Sequence, residues 1–417
     1  MRRRSRNDVM PDPNNVVSTT HIVRQPIYDA RVRVAGYELI VHGEAGAPDA
    51  DAAAAGTLMH IGLNLVTGGK AWVPLSPGFL FGGHASALPA ERVVYEVAPA
   101  LALDERAMAA LNRMHAEGYT LALDPFAATE EIAPLLGIVG AVKLDATLDR
   151  ATLADHVALG RRAGAQLVAK NVETHEAFET CKALGFELFQ GYFFCQPRTV
   201  DGRGIEVNQL NKLKLIAELQ DPEADVEKLG EIVARDVGLS YNLLRFVNSA
   251  FFSVPRRIES IRDALILLGL QNVKRWATLM TLAGSNDKPH ELIVTGLIRA
   301  RMAELVAIAR GEKREKEQYF TIGLFSVVDA LMDTSLIEVL RQLPFSQEIM
   351  SALLSHEGPK GQLLHGILAY ERGDFGELFA LMPAGTPPAD FYAQAVEWAT
   401  DASGGLVAVP DTPTVSA

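Results

Sequence analysis

The chain has 417 residues, with 39 Lys and Arg against 51 Asp and Glu, a net charge of −12 and 48% hydrophobic side chains. This length and composition predict a globular protein of two or three domains. The acidic balance argues against general binding to nucleic acid or to an anionic membrane, because both repel a negatively charged protein, although local basic patches stay open. Two cysteines are too few for a disulfide framework, so we expect free thiols and a cytoplasmic location.

Two uncharged stretches, 52–69 and 71–90, are candidates for membrane spans. The first contains four glycines and the second is interrupted by three prolines, so neither supplies the roughly 20 mainly apolar residues that a span requires. No apolar segment follows the basic start of the chain, which argues against a signal peptide. We expect residues 1–20 to form a flexible leader.

Between residue 21 and about residue 200, short β-rich runs alternate with helix-length segments such as 104–117 and 174–184. The predicted strands are 22–28, 32–41, 71–75, 93–97, 120–123, 141–144, 166–169 and 188–194. Strands that alternate with crossover helices predict a mainly parallel sheet. This many repeats predict a closed α/β barrel, with an open doubly wound sheet as the alternative.

From Asn208 onward the pattern is helical. Leu229, Ile232, Val233 and Val237 mark one apolar face, and Gly238 takes the position of a C-cap. Ser260 and Asp263 have the spacing of a capping box before an apolar run. The predicted organisation is a leader at 1–20, an α/β barrel at 21–202, an all-α domain at 203–402 and a disordered tail at 403–417.

The residues at the ends of the strands are candidate site residues, because the active site of an α/β barrel lies where strands end and βα loops begin. The carboxylates there are Glu38, Glu96, Asp124, Asp145 and Glu173, and they share this layer with Pro74, Pro125, Lys143 and Lys170. Carboxylates that converge from several strands suit Mg²⁺ or Mn²⁺ and action on phosphate esters. The alternative is that these acids cap helices or pair with the two lysines.

Five motifs carry a resemblance to a known family: RQPIYD at 24–29, GYELI at 36–40, VKLD at 142–145, VAKNVE at 168–173 and FQGYFF at 189–194. In this order and spacing they resemble the EAL domain, which hydrolyses the bacterial second messenger cyclic di-GMP. The helical half resembles an HDOD domain. The tandem arrangement resembles the EAL–HDOD family, which implies a TIM-like barrel followed by an all-α domain.

The resemblance also implies a set of site residues. One metal ion would be held at the positions of Glu38, Pro74, Glu96 and Asp124, and a second at those of Asp124, Pro125 and Lys170. Glu38, Glu96 and Asp124 are retained, whereas proline and lysine supply no ligand for a divalent cation. We expect Lys170 to take the place of the second metal and to pair with Asp124 or Glu173.

Other positions keep or lose a family role. Lys143 and Glu173 match catalytic positions, and Asp145 and Gln190 match ligand-binding positions. His42 stands where the family uses a phosphate-binding arginine, and a neutral imidazole is a weaker phosphate ligand than a guanidinium. These changes imply a catalytic site that is incomplete.

The HDOD resemblance implies a helical fold related to HD phosphohydrolases but without their His-Asp metal pair, whose positions here hold Ser326 and Val327. We interpret His290, His356 and His365 as solvated histidines. Phe251 and Phe252 adjoin a basic run that comprises Arg256, Arg257, Arg262, Lys274 and Arg275. We interpret the pair as core and the bases as a solvated face, with a protein-docking surface and a nucleic-acid patch as the other interpretations.

These observations predict a signalling protein with a degenerate phosphodiesterase barrel that acts through protein contacts of its HDOD domain. No cofactor, no membrane and no nucleic acid is expected; the protein partner is unknown, and cyclic di-GMP is a candidate ligand. Two alternatives stay open. One is an active phosphodiesterase that depends on Mg²⁺ or Mn²⁺, and the other is an effector that binds cyclic di-GMP without hydrolysing it.

Overall fold

The computed structural model describes residues 21–42, 56–58, 62–127, 129–198, 207–252, 254, 257–283 and 288–406. The predicted leader at 1–20 and the predicted domain boundary near residue 203 lie outside these residues. A search of the described helices finds none that is long and apolar enough to cross a bilayer. Both cysteines, Cys181 and Cys195, are free thiols.

Eight strands close into a barrel in chain order. They are β1 His21–Asp29, β2 Val34–His42, β3 Lys70–Pro74, β4 Val93–Val97, β5 Thr120–Leu123, β6 Ala141–Asp145, β7 Gln166–Lys170 and β8 Leu188–Gln190. Strand β1 is antiparallel to both of its neighbours, β2 and β8, and all other pairs are parallel. The predicted closed barrel is confirmed, and the open sheet is excluded.

Helices and short 3₁₀ turns connect the strands. The helices are α1 Leu63–Leu65, α2 Pro77–Phe81, α3 Glu105–Ala116, α4 Arg150–Arg162 and α5 His175–Ala183. The three longer ones begin behind polar caps, because Asp104, Asp149 and Thr174 accept hydrogen bonds from the first free backbone N–H groups. Each cap places the start of its helix just beyond the preceding strand.

Two predicted strands are shorter than expected. Strand β2 begins at Val34 rather than at Val32, because Val32 has a positive φ of 57° in a turn that the Asp29 carboxylate holds through the backbone N–H groups of Arg31 and Arg33. Strand β8 ends at Gln190. Gly191 follows with φ 150°, where a Cβ would lie 2.1 Å from the Val172 carbonyl oxygen, so the chain turns into the 3₁₀ segment Phe193–Cys195.

The second half is all helical, as predicted. Its helices are α6 Val207–Gln220, α7 Val226–Arg235, α8 Val237–Val247, α9 Ile261–Leu268, α10 Leu270–Ala283, α11 His290–Ala309, α12 Lys316–Phe325, α13 Val328–Met332, α14 Leu336–Leu340, α15 Gln347–Ser355, α16 Gly358–Glu371, α17 Gly376–Leu381 and α18 Pro388–Leu406. The predicted cap at Ser260 is confirmed, since its hydroxyl oxygen accepts from the N–H of Asp263.

Gly238 is not a C-cap, and that prediction is wrong. Helix α7 already ends at Arg235, and Asp236 serves as the C-cap of α7 and the N-cap of α8, accepting from the Leu239 N–H. Val237 is 81% exposed and does not belong to the apolar face. Because the Asp236 carboxylate caps a new helix that begins at Val237, Gly238 lies in the first turn of α8 and not at the end of α7.

The predicted tail is also wrong over its first residues. Helix α18 continues to Leu406. Ala399, Ala402 and Ser403 are buried, and the Ser403 hydroxyl donates to the Thr400 carbonyl, so packing and a backbone bond hold this segment. The rest of the tail, 407–417, lies outside the described residues.

The helical domain packs on the outer side of β1. The buried Arg24 of β1 pairs with Glu291 of α11 at 3.3 Å, and the Tyr370 hydroxyl of α16 donates to the Ile22 carbonyl at 3.1 Å. The ring of His21 stacks on Phe375 with centroids 4.9 Å apart. The two domains therefore share a buried contact that contains both ionic and apolar groups.

Candidate functional site at the barrel mouth

The side chains inside the barrel form layers, because alternate residues of a strand face the same side. One layer is apolar and contains Ile27, Trp72, Val94, Ala122, Ala141, Val168 and Leu188. Two residues further toward the mouth lies a layer that is polar except for one proline. It contains Gln25, Pro74, Glu96, Asp124, Lys143, Lys170 and Gln190, together with Glu38, which is in register with Gln25. We call Glu38, Glu96, Asp124, Lys143, Lys170 and Gln190 the mouth cluster.

Lys143 lies at the centre of the mouth cluster and is fully buried. Its ammonium nitrogen is 2.6 Å from Oε2 of Glu38 and also contacts Oε1 of Glu96. The contact with Glu96 is close but is not aligned as a hydrogen bond. One ammonium group is therefore shared between two carboxylates from different strands.

Burial and neighbouring charges shift the pKa values of Glu38 and Glu96 in opposite directions. Burial, with the nearby carboxylates of Glu38 and Asp124, raises the pKa of Glu96 to about 8 against the opposing effect of Lys143. Burial also acts to raise the pKa of Glu38, but the Lys143 ammonium and the Gln190 amide outweigh it and the pKa is lowered. We infer that Glu38 holds the negative charge beside Lys143 and that Glu96 is the readily protonated member.

Lys170 forms an ion pair with Asp124, which confirms the first of the two predicted pairings. Both side chains are partly accessible, at 23% and 17%. Glu173, the other predicted partner, is exposed and makes no hydrogen bond or ion pair with the residues that the structure describes. Glu173 therefore makes none of the contacts of the mouth cluster, to which Lys143, the other predicted catalytic residue, belongs.

Of the three predicted ligand-binding residues, only Gln190 lies in the mouth cluster. Gln190 is buried and donates to Glu38 and, at 2.9 Å, to Oε1 of Gln25. Asp145 instead accepts from the Thr147 N–H at 2.9 Å and from the Asn171 amide at 3.0 Å, at the rim. His42 is the last residue of β2, opposite His21, and its side chain lies outside what the structure describes.

Gln25 was not anticipated as a site residue. It faces the barrel interior two residues before Ile27, so the alternation of β1 is the signal that could have identified it. Its amide donates to the Glu371 carbonyl of the helical domain at 3.3 Å, and the Tyr192 hydroxyl donates to the same oxygen at 2.7 Å. The mouth cluster is thus connected to the end of α16 through Gln190 and Gln25.

The donor set does not fit a pair of divalent cations. Glu38 and Glu96 contact one ammonium group, Asp124 contacts another, and Pro74 and Pro125 offer no side-chain donor. Within the described part of the chain, no group of three or more His, Cys, Asp or Glu is arranged to hold a metal ion. Metal binding by Glu38, Glu96 and Asp124 stays a prediction.

In the helical domain, Val327 is fully buried and the Ser326 hydroxyl accepts from Arg299 at 3.2 Å. The His356 and His365 rings lie 5.1 Å apart, and Nε2 of His365 is 3.0 Å from Glu377, a partly exposed pair at the surface. His290 is exposed. These contacts are consistent with solvated histidines.

The predicted basic face is wrong at two positions. Lys274 is buried and donates to the Asp221 carbonyl at 2.6 Å. The Arg275 side chain is 9% exposed and pairs with Glu304 at 3.0 Å. Both lie on a helix whose other side chains are mostly apolar, so burial with a partner replaces solvation. Arg256 lies outside the described residues.

The prediction for the adjacent phenylalanines is confirmed. Phe251 and Phe252 pack against Phe246 and Trp276, with ring centroids 5.5 Å and 5.2 Å from Phe246 and 5.4 Å and 6.0 Å from Trp276. They form part of an aromatic core.

A closed barrel with charged residues at its mouth, followed by an all-α domain, is the arrangement that the motifs imply. The sequence model of the EAL domain matches residues 84–197, and that of the HDOD domain matches residues 211–359. The EAL match contains Glu96, Asp124, Lys143 and Lys170, whereas Glu38 precedes it.

The chain is similar over most of its length to two proteins. It is 34% identical over 373 residues to "Cyclic di-GMP phosphodiesterase CdgJ" of Vibrio cholerae, covering 86% of each chain. It is 28% identical over 376 residues to "Uncharacterized protein YuxH" of Bacillus subtilis, covering 85% of this chain and 91% of the other. This chain belongs to the EAL–HDOD family, which confirms the resemblance drawn from the motifs.

Solved structures of EAL proteins show lower similarity. A complex of Klebsiella pneumoniae BlrP1 with calcium and cyclic di-GMP is 22% identical, with a TM-score of 0.35, and covers 44% of this chain and 57% of that one. A standalone EAL protein from Vibrio cholerae O395 in its cyclic di-GMP-bound form is 20% identical, with a TM-score of 0.35, and covers 42% of this chain and 91% of that one.

Proposed function

We propose that this protein is a cytoplasmic signalling protein of the cyclic di-GMP system whose barrel does not hydrolyse the dinucleotide and whose helical domain transmits the signal to a protein partner. The observation that carries the proposal is the mouth cluster, in which two lysines contact all three retained carboxylates. Two-metal hydrolysis needs those carboxylates for cations that generate and orient a nucleophilic water.

The charge at the mouth supports the proposal. Lysine in place of a glutamate at position 170 changes the charge of the pocket by two units, and Pro125 in place of an aspartate changes it by one more. At a separation of a few ångströms, charges of this size repel a divalent cation by several kcal/mol at a protein-like dielectric. A cation that entered would also have to break the Lys170–Asp124 pair.

A surface on the helical domain supports the proposed protein partner. Val237 and Tyr241 of α8 are 81% and 63% exposed, and Ile266 of the neighbouring α9 is 72% exposed. Exposed apolar and aromatic side chains on adjacent helices are typical of protein contact surfaces. The hydrogen bonds from Gln190 through Gln25 to Glu371 offer a connection between the mouth and the helical domain.

The test is a turnover assay on the purified full chain with cyclic di-GMP and Mg²⁺ or Mn²⁺, in which the linear dinucleotide is quantified. We expect no product above the level without protein. Turnover that is lost in Glu38→Gln and kept in Glu105→Gln, an exposed glutamate at the start of α3, would contradict the proposal. That outcome would establish the alternative of an active phosphodiesterase, which the similarity to the cyclic di-GMP phosphodiesterase of Vibrio cholerae favours.

The second candidate is an effector that binds cyclic di-GMP without cutting it. Lys170 is the partly accessible cation of the mouth, whereas Lys143 is fully buried between two carboxylates. Calorimetry with cyclic di-GMP separates an effector from a scaffold. Binding that weakens in Lys170→Met and is unchanged in Lys182→Met, an exposed lysine of α5, identifies an effector; no heat at any concentration identifies a scaffold.

A further inference from the structure

A cleft of about 700 Å³ lies between the barrel and the helical domain, and no residue of the mouth cluster lines it. Its barrel wall contains Arg31 and Arg33 in the turn between β1 and β2, with Thr67 beside them. The opposite wall contains Lys288, just before α11, and Thr400 of α18; Arg198 also lines the cleft. The cleft is thus built from segments far apart in the sequence.

The charge of this cleft is opposite to that of the whole chain. Four of its lining residues are Arg or Lys, and one, Glu291, is acidic. The whole chain instead has 39 basic and 51 acidic residues. Glu291 is buried and paired with Arg24 at 3.3 Å, so its charge is balanced from behind the wall. The cleft is a local positive region in an acidic protein.

Two of the four cations are held in place and two are available. The Arg33 guanidinium donates to Asp29 at 2.8 Å, and the Lys288 ammonium lies 2.6 Å from Asp333. Arg31 and Arg198 are exposed and use only their backbone N–H groups, on Asp29 and Asp333. Their guanidinium groups make no hydrogen bond or ion pair with any residue in the described ranges.

We propose that this cleft binds a phosphate-bearing small molecule of nucleotide size. Guanidinium groups bind phosphate oxygens through paired, charge-assisted hydrogen bonds, and Arg31 and Arg198 supply two such groups. Thr67 and Thr400 line the same space, but the Thr400 hydroxyl already donates to the Val396 carbonyl, so the two arginines carry the recognition of phosphate. The volume of the cleft lies within the range that is typical of small-molecule sites.

Because the cleft lies between the two domains, a ligand bound in it contacts both of them. Arg31 belongs to the barrel, whereas Lys288 and Thr400 belong to the helical domain. A phosphate that contacts both walls bridges the two domains and stabilises their contact. Because the ligand binds the docked arrangement and not the unfolded chain, it raises the unfolding temperature.

The experiment is calorimetric titration of the full chain with ATP in the presence of EDTA, together with thermal unfolding at the same ATP concentrations. We expect binding that weakens as salt is raised and an unfolding temperature that rises with ATP. Arg31→Glu and Arg198→Glu should each weaken binding by roughly tenfold or more, since each removes a charge-assisted hydrogen bond and adds a repelling carboxylate. The double variant should abolish binding.

Two controls keep the test specific to the cleft. Arg150→Glu changes the same charge at an exposed position of α4 and should leave ATP binding unchanged. Lys170→Met changes the mouth cluster and should also leave it unchanged, which separates this site from any cyclic di-GMP site in the barrel. No ATP binding at millimolar concentration, or equal binding by the wild type and the folded double variant, would overturn the proposal.

Discussion

Buried charges are arranged differently at the domain contact and at the barrel mouth. At the contact, Arg24 of the barrel pairs with Glu291 of the helical domain, and next to it, within the helical domain, Arg299 donates three hydrogen bonds of 2.8–3.0 Å to Glu371. At the mouth, two lysines face three carboxylates, and the Lys143 ammonium is shared. The arginines and carboxylates near the contact are equal in number, whereas the mouth has one carboxylate more than it has lysines.

The difference shows how completely each set of buried charges is paired. The guanidinium of Arg299 and the carboxylate of Glu371 satisfy each other through several hydrogen bonds, although both are buried. A shared ammonium leaves one carboxylate imperfectly satisfied, and the raised pKa of Glu96 is the result of that burial and of the neighbouring carboxylates. At the mouth, two lysines balance most of the charge of three carboxylates.

The largest effect on stability is expected from breaking the buried ion pair between Arg299 and Glu371. Arg299→Met leaves the Glu371 carboxylate buried without its partner and should lower the free energy of unfolding by about 3–5 kcal/mol. Urea denaturation followed by circular dichroism measures this loss. The double variant Arg299→Met/Glu371→Leu should recover much of it, because no buried charge remains. A loss no greater than that caused by Arg235→Met, in an exposed pair, would contradict the comparison.

A second effect concerns pH. The pKa of Glu96 is about 8 in the folded protein and close to 4.5 when unfolded, so the folded state binds the extra proton between these values. Its contribution to stability is complete below pH 4.5 and is lost as pH rises toward 8.

Glu96→Gln imitates the protonated side chain and should reduce this loss. Unfolding temperatures measured from pH 5 to pH 9 should fall less steeply in the variant than in the wild type. Glu105→Gln, at an exposed position of α3, serves as the matched control. Parallel pH profiles for all three proteins would show that Glu96 does not carry the linked proton.

The smallest effect on stability is expected at Lys170. Its pair with Asp124 is 23% and 17% exposed, so solvent screens the charges, and Lys170→Met should change the free energy of unfolding by about 0–1 kcal/mol. Lys143→Met should cost clearly more, because that ammonium is fully buried between two carboxylates. Urea midpoints in the reverse order would show that the two lysines do not differ as their burial indicates.

Local patterns predicted much of this molecule. The alternation of strands and helices predicted a barrel, with an open sheet as the alternative, and the structure shows the barrel. The lysine at position 170 predicted a pair with Asp124 or Glu173, and the structure shows the pair with Asp124. Gly238 was misjudged because a carboxylate cap at Asp236 competes with a nearby glycine, and local propensity does not say which of them prevails.

Long-range contacts could not be predicted in this way. Arg24 and Glu291 are 267 positions apart, and no periodicity relates β1 to α11. The same holds for Gln25 and Glu371, which lie 346 positions apart and connect the mouth to the helical domain. The cleft between the domains depends on this docking, so the grouping of Arg31, Arg198 and Lys288 becomes visible only in three dimensions.

The central claim of the proposal is that Pro74, Pro125 and Lys170 stand in the place of metal ligands at the mouth. The most direct measurement is a Mn²⁺ titration followed by electron paramagnetic resonance, on the wild type and on the variant Pro74→Asn/Pro125→Asp/Lys170→Glu. We predict no Glu38-dependent Mn²⁺ binding in the wild type and a gain of binding in the variant. Binding by the wild type that is lost in Glu38→Gln, or no gain in the folded variant at millimolar Mn²⁺, would contradict the account.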